Sequence, residues 1–131
     1  MKKVHILLAS ARAEDRRSLA AILDGTPWRL IETDDREEAV KTLHGIEVPI
    51  VLCDRDLPGS PWQETIRTLI AARTNACVIL VSNVADQYLW DEVVQRGGFD
   101  VLTRPFHKDQ VLSMLDFAHT HWKTGWPTTK V

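Results

Sequence analysis

No apolar run in this 131-residue chain approaches the roughly 20 residues that a membrane helix needs, and Met-Lys-Lys at the start is followed only by a short apolar run, Val4 to Ala9. A cytoplasmic protein is expected, with no membrane partner. Charge of one sign is also lacking: 16 Lys and Arg face 18 Asp and Glu, a formal net charge of -2. No broad basic footprint for nucleic acid exists, so partners would be recognised by local shape. Cysteine is scarce, and the two present, Cys53 and Cys77, each lie in an apolar run without histidines at ligand spacing. That excludes a disulfide framework and a zinc site, leaving two buried thiols. Repeats and low-complexity linkers are absent too, and one domain over residues 1–123 with a short tail over 124–131 is expected.

What the chain does contain is an alternation of apolar runs with stretches of helical period, the pattern of βα units on a parallel sheet. Strands are predicted at Val4 to Ala9, Trp28 to Thr33, Ile50 to Asp54, Cys77 to Val81 and Phe99 to Thr103. Between them, Ala13 to Leu23 repeats Leu19, Ile22 and Leu23 at helical spacing before Asp24-Gly25. Asp35 and Glu38 have the form of a capping box ahead of Ala39, Val40 and Leu43. Ser60-Pro61-Trp62-Gln63 predicts an N-cap and a proline at the first helical position, and Asp86 predicts a cap for a fourth helix ending before Gly97-Gly98. Val111, Leu115, Ala118 and Trp122 share a face of the last helix. Five such units make an α/β three-layer sandwich.

The chemistry concentrates at one place. Pro49 to Asp54 is an apolar run that delivers a carboxylate into the turn Arg55-Asp56-Leu57-Pro58-Gly59, and strand carboxyl ends are where open α/β sheets keep their functional groups. Downstream come Val78-Ile79-Leu80-Val81-Ser82 and Asp100-Val101-Leu102-Thr103-Arg104-Pro105-Phe106. In these three ordered segments, across roughly Lys3 to Trp122, the chain resembles the receiver domains of two-component response regulators, the chemotaxis-regulator-like family. The resemblance implies a flavodoxin-like, doubly wound five-stranded parallel sheet in order 2-1-3-4-5. It also implies aspartyl phosphorylation by a histidine kinase, with Asp54 as phospho-acceptor, Ser82 and Arg104 as the groups contacting the phosphoryl, and a cis peptide before Pro105.

Three departures mark an atypical or degenerate member. Phosphoryl transfer to a carboxylate needs a divalent cation held by carboxylates, carbonyls and waters. The family's acidic pair after the first strand aligns here with Ser10 and Ala11, which leaves Asp54, with Asp56 beside it, as a weak Mg²⁺ site; no resident cofactor is expected. The second departure is Arg104 in place of the family's lysine, a planar fork where a compact ammonium is usual. A guanidinium from Arg104 or Arg12 could therefore occupy the cation's place and neutralise Asp54, the alternative being that both arginines face solvent. The third is Val101, which stands at the aromatic switch position; Phe99, two residues earlier, is expected on the same side of its strand.

On the fourth helix, Tyr88, Trp90 and Val94 cannot share the inward stripe with Leu89 and Val93. Exposed aromatic area is expected there, on the face of helix 4, strand 5 and helix 5 that the family uses for dimerisation or output, with Trp122 and Trp126 as alternative cover. His119 and His121 are two apart and do not face one another, which argues against a metal pair. The expected function is a non-enzymatic receiver-like signalling module of a phosphorelay, acting by contact with a histidine kinase or other signalling protein, with impaired Mg²⁺-dependent phosphorylation. The alternatives are a working receiver phosphorylated on Asp54, and a small phosphohydrolase using Asp54 as nucleophile and Asp56 as acid/base.

Overall fold

The computed structural model describes residues 2–124, in which five strands alternate with five helices. The strands are β1 (Val4–Ala9), β2 (Trp28–Thr33), β3 (Ile50–Asp54), β4 (Cys77–Ser82) and β5 (Asp100–Thr103). Between and after them run α1 (Ala13–Leu23), α2 (Arg36–Gly45), α3 (Trp62–Ala72), α4 (Gln87–Gln95) and α5 (Lys108–Lys123). All pairings are parallel and the order is β2-β1-β3-β4-β5, as expected of a flavodoxin-like sheet. β3 and β4 are buried at every position, because helices cover both faces of a parallel sheet.

Two apolar clusters sandwich the sheet. Leu7, Val51, Val78 and Leu80 pack with Leu43 of α2, Ile66 and Leu69 of α3, and Leu89 and Val93 of α4. On the other face Ile6, Leu8, Leu52 and Ile79 pack with Leu19 and Leu23 of α1 and Val111, Leu115 and Ala118 of α5. Both cysteines are free and buried within these layers. Burial first, then the neighbouring Asp54 charge, pushes the Cys53 thiol up to about 12, and burial raises Cys77 to about 11. Neither is a thiolate at neutral pH.

Helix N-caps follow the local signals in two of three cases. Asp35 accepts from the Glu38 N–H at 2.8 Å, while the Glu38 carboxylate reaches back to the Asp34 N–H, one residue earlier than an ideal box. Asp86 caps α4 by accepting from the Leu89 N–H. The expected Ser60 cap of α3 does not form: Pro61 is the N-cap, extended at ψ 146°, and helical geometry begins one residue later at Trp62. β4 extends one residue further than expected, to Ser82.

A larger difference concerns Phe99. β5 begins at Asp100, so strand alternation does not reach back to Phe99. Val101 packs into the α2–α4 cluster, whereas Phe99 packs on the α1–α5 cluster and against Phe117 and His121. Phe99 therefore lies on the opposite face from Val101 and does not replace the missing ring. Gly97 and Gly98 make the turn into this strand. Gly97 has φ +96°, and a Cβ on Gly98 would sit 2.5 Å from Val93 Cγ1 and 3.0 Å from the Val93 carbonyl. A Gly98→Ala substitution is expected to cost about 1–3 kcal/mol through this overlap, read as a lowered urea midpoint at unchanged slope.

The expected tail lies outside the described residues from 125 onward, as does Trp126. Among the described residues no helix is long and apolar enough to cross a membrane.

Candidate functional site at the carboxyl edge of the sheet

Parallel register gathers the singled-out residues at one edge. Ala9 is level with Cys53 and Thr33, which puts Ser10 beside the end of β3; Asp54 is level with Val81, Ser82 with Thr103, and Arg104 follows at once. Ser10, Asp54 and Ser82 are all buried. The peptide between Arg104 and Pro105 is cis.

Arg104 reaches Asp54: Nη2 donates to Asp54 Oδ1 at 2.8 Å. The same guanidinium forks onto a residue that the sequence reading passed over. Nε donates to Asp15 Oδ1 at 2.8 Å and Nη2 to Asp15 Oδ2 at 2.7 Å, a two-point contact with one carboxylate. Nη1 donates to the Asn83 side chain at 3.1 Å. Both carboxylates are 2% exposed and the Arg104 side chain 11%. The trio thus sits where an unpaired charge would be costly and a paired one is strongly held.

Asp15 comes to this edge because it occupies the third position of α1, where a carboxylate is also favoured by the helix N-terminus. It stands four and eight residues before Leu19 and Leu23 on one buried stripe. An acidic residue on an inward stripe is the sequence signal that could have found it. Burial raises its carboxyl pKa, but hydrogen bonds from Arg104 and Ser10, with the charges of Arg104 and Arg12, outweigh that and leave it lowered. Arg104 is shifted the other way, first by its bonds to Asp15, against burial, then by Asp54, so its guanidinium remains charged.

Arg12 does not join the cluster through its side chain. It is exposed at the N-cap of α1, where its backbone N–H donates to Ser10 Oγ at 3.1 Å. The guanidinium that bonds Asp54 is that of Arg104, and no side-chain hydrogen bond or ion pair joins Arg12 to Asp54 among the described residues.

Asp56 is also displaced from its expected role. Its backbone N–H donates to Asp54 Oδ1 at 3.1 Å, while the residue itself is exposed. Ser82 Oγ accepts from the Val84 N–H at 3.2 Å and from Arg55 Nη1 at 3.4 Å, without a bond to Asp54. Arg55, which the sequence reading did not single out, is the second guanidinium at this edge. Oδ2 of Asp54 receives no hydrogen bond among the described residues.

These residues do not fit a hard divalent cation, which takes six oxygen ligands with carboxylates among them. Ser10 Oγ donates to Asp15 Oδ2 at 2.8 Å, Ala11 is exposed and offers no side-chain oxygen, and Asp15 and Asp54 are both engaged by a guanidinium. No group of three or more potential metal ligands occurs among the described residues.

No family model matches the chain. It is 26% identical over 116 residues to the transcriptional regulatory protein FixJ of Bradyrhizobium diazoefficiens, covering 88% of this chain and 57% of that protein. It is 23% identical over 112 residues to the cell cycle transcriptional regulator CtrA of Caulobacter vibrioides, covering 86% and 48% respectively. The chain thus spans about half the length of these curated relatives. In fold it is similar to the signal receiver domain of an HD domain-containing protein from Pseudomonas fluorescens, with a TM-score of 0.84 at 21% identity over 95% of this chain and 92% of that one.

Proposed function

We infer that this chain, a response regulator receiver domain, signals by protein contact from a site where Arg104 stays paired with Asp54, without Mg²⁺-dependent phosphoryl transfer to Asp54. The observation that carries this reading is the Arg104 fork: one guanidinium bonds Asp54 and Asp15 together, where a receiver's chemistry would call for a cation among carboxylates. Arginine suits this task better than lysine, because its planar edge engages a carboxylate at two points and its charge persists. Val101, at the switch position, packs in the α2–α4 cluster and itself carries no ring to relay a change at Ser82.

A histidine kinase or another signalling protein is the expected partner, and the role is non-enzymatic and cytoplasmic. Contact through the α4–β5–α5 face fits its exposed apolar groups: Tyr88, Trp90, Val94 and Phe117 are 74%, 41%, 39% and 58% exposed. Trp90 is held in place there by its indole N–H, which donates to Asp100 Oδ1 at 3.1 Å. Nucleic acid is not an expected partner of this domain.

One observation favours a working receiver instead: Oδ2 of Asp54 accepts no hydrogen bond among the described residues, so one oxygen remains for attack on a phosphodonor. A phosphohydrolase has less support, since Asp56 is exposed and meets Asp54 through its backbone N–H. Incubation with acetyl phosphate, with beryllofluoride and with a phosphate monoester, each with and without Mg²⁺, tests the three readings by intact mass, tryptophan fluorescence and phosphate release. No adduct and no fluorescence change are expected. A Mg²⁺-dependent adduct on Asp54 would establish the working receiver, and turnover of a phosphate ester would establish the enzyme.

A further inference from the structure

Arg104 meets its two carboxylates unequally. Toward Asp15 it presents a whole edge, Nε and Nη2, to both oxygens of one group at 2.8 and 2.7 Å. Toward Asp54 it gives one remaining hydrogen of Nη2, at 2.8 Å. Two parallel bonds fix the plane of a guanidinium, whereas a single end-on bond leaves it free to rotate and to swing.

The two carboxylates are also anchored differently. Asp15 is 1% exposed on the buried stripe of α1, and the Ser10 hydroxyl, itself fully buried, donates to its Oδ2. Asp54 stands at the last position of β3, and the oxygen that meets Arg104 also accepts the Asp56 N–H. The arginine stem comes from the end of β5, two strands from β3 in the sheet, and has a polar partner nearer to solvent in Asn83. Without a firm hold on its Nε edge, the side chain has somewhere else to go.

We propose that Asp15 is the positioning residue of this site: it clamps the Arg104 guanidinium from α1 and thereby presents Nη2 to Asp54, while Asp54 contributes little to holding the arginine. This deepens the reading of a site permanently occupied by Arg104 and rests on it. The clamp explains how a long, flexible side chain can occupy the centre of the site whether or not Asp54 engages it. It also gives α1 a role that the acidic pair after β1 has in the family: supplying the fixed anionic group on which a cation is seated.

The proposal predicts an asymmetry that simple pairing does not. Side-chain ¹⁵N NMR of Arg104 at neutral pH, without phosphodonor or divalent cation, is to be compared in the unaltered chain, Asp15→Asn and Asp54→Asn. In the unaltered chain the Nε–H exchanges slowly with solvent and the Nη groups rotate slowly. Asp15→Asn is expected to speed Nε–H exchange about tenfold or more, the loss of a hydrogen bond to a charged acceptor, and to average the Nη signals. Asp54→Asn is expected to leave both nearly unchanged. Release of Arg104 by Asp54→Asn, alone or to the same extent as by Asp15→Asn, would overturn the proposal, and so would an arginine unmoved by either.

Backbone amide spectra report whether each variant keeps its fold. Ser10→Ala supplies a second measurement that keeps both charges: removing the other bond to Asp15 is expected to raise Arg104 Nε–H exchange several-fold, and no rise would overturn the clamp. A Mg²⁺-dependent adduct on Asp54 in the unaltered chain would sink the functional reading and leave these exchange rates as they are, so the two failures are distinguishable.

Discussion

Replacing Arg104 with methionine is expected to destabilise the domain by about 3–5 kcal/mol at neutral pH, the loss typical of a buried ion pair deprived of one partner. Methionine keeps an apolar stem of similar reach, so the loss isolates the guanidinium. It leaves Asp15 and Asp54, each 2% exposed at the side chain, as two carboxylates facing each other without a cation. The gap between the unaltered chain and Arg104→Met should narrow as pH falls below 3.8, where the unaltered chain loses the stabilisation that Arg104 gives to ionised Asp15. Urea unfolding at a series of pH values between neutral and acid measures it. A gap under about 1 kcal/mol at neutral pH would mean that water or another cation compensates the two carboxylates.

The second large effect belongs to Asp15. Its folded pKa is lowered from the model-compound value of 3.8: burial opposes ionisation, and the bonds from Arg104 and Ser10 with the nearby guanidinium charges more than offset it. A lowered folded pKa means that the unfolded chain binds the proton more tightly. The stabilisation from Asp15 is thus complete above 3.8 and is lost as pH falls through the lower folded value. Asp15→Asn should cost about 2–3 kcal/mol near neutrality, less than full removal of a buried pair because the amide oxygen still accepts from the Ser10 hydroxyl. Its stability should fall less steeply than that of the unaltered chain in acid, so that the two curves converge there. Parallel curves would show that the Asp15 charge is not specifically stabilised.

Both effects turn on a residue that local pattern concealed. Asp15 sits in Ala-Glu-Asp-Arg-Arg, a stretch whose composition suits a solvated helix start. Only its spacing to Leu19 and Leu23 marks it as inward. The choice between Arg12 and Arg104 was undecidable on the same grounds, because both stand just beyond a strand and nothing in a one-dimensional pattern tells which long side chain turns inward. Phe99 was misplaced for a related reason: strand alternation holds only inside the strand, and β5 starts one residue later, after the Gly97-Gly98 turn. The Ser60 cap failed because helical geometry starts after Pro61 rather than at it.

By itself the sequence determined the elements, their alternation and the carboxyl-edge address of Asp54, because hydrophobic period, caps and turn residues act over a few neighbours. It also determined what is missing, since Ser10 and Ala11 carry no carboxylate in any fold. Tertiary structure alone decided which groups fill the gap. Asp15 and Arg104 are 89 residues apart, and Asp54 and Arg104 are 50 apart. They meet only because parallel register brings the ends of β3 and β5 and the start of α1 to one edge. Burial there makes the meeting matter: a carboxylate in water gains little from an arginine, whereas one 2% exposed depends on it.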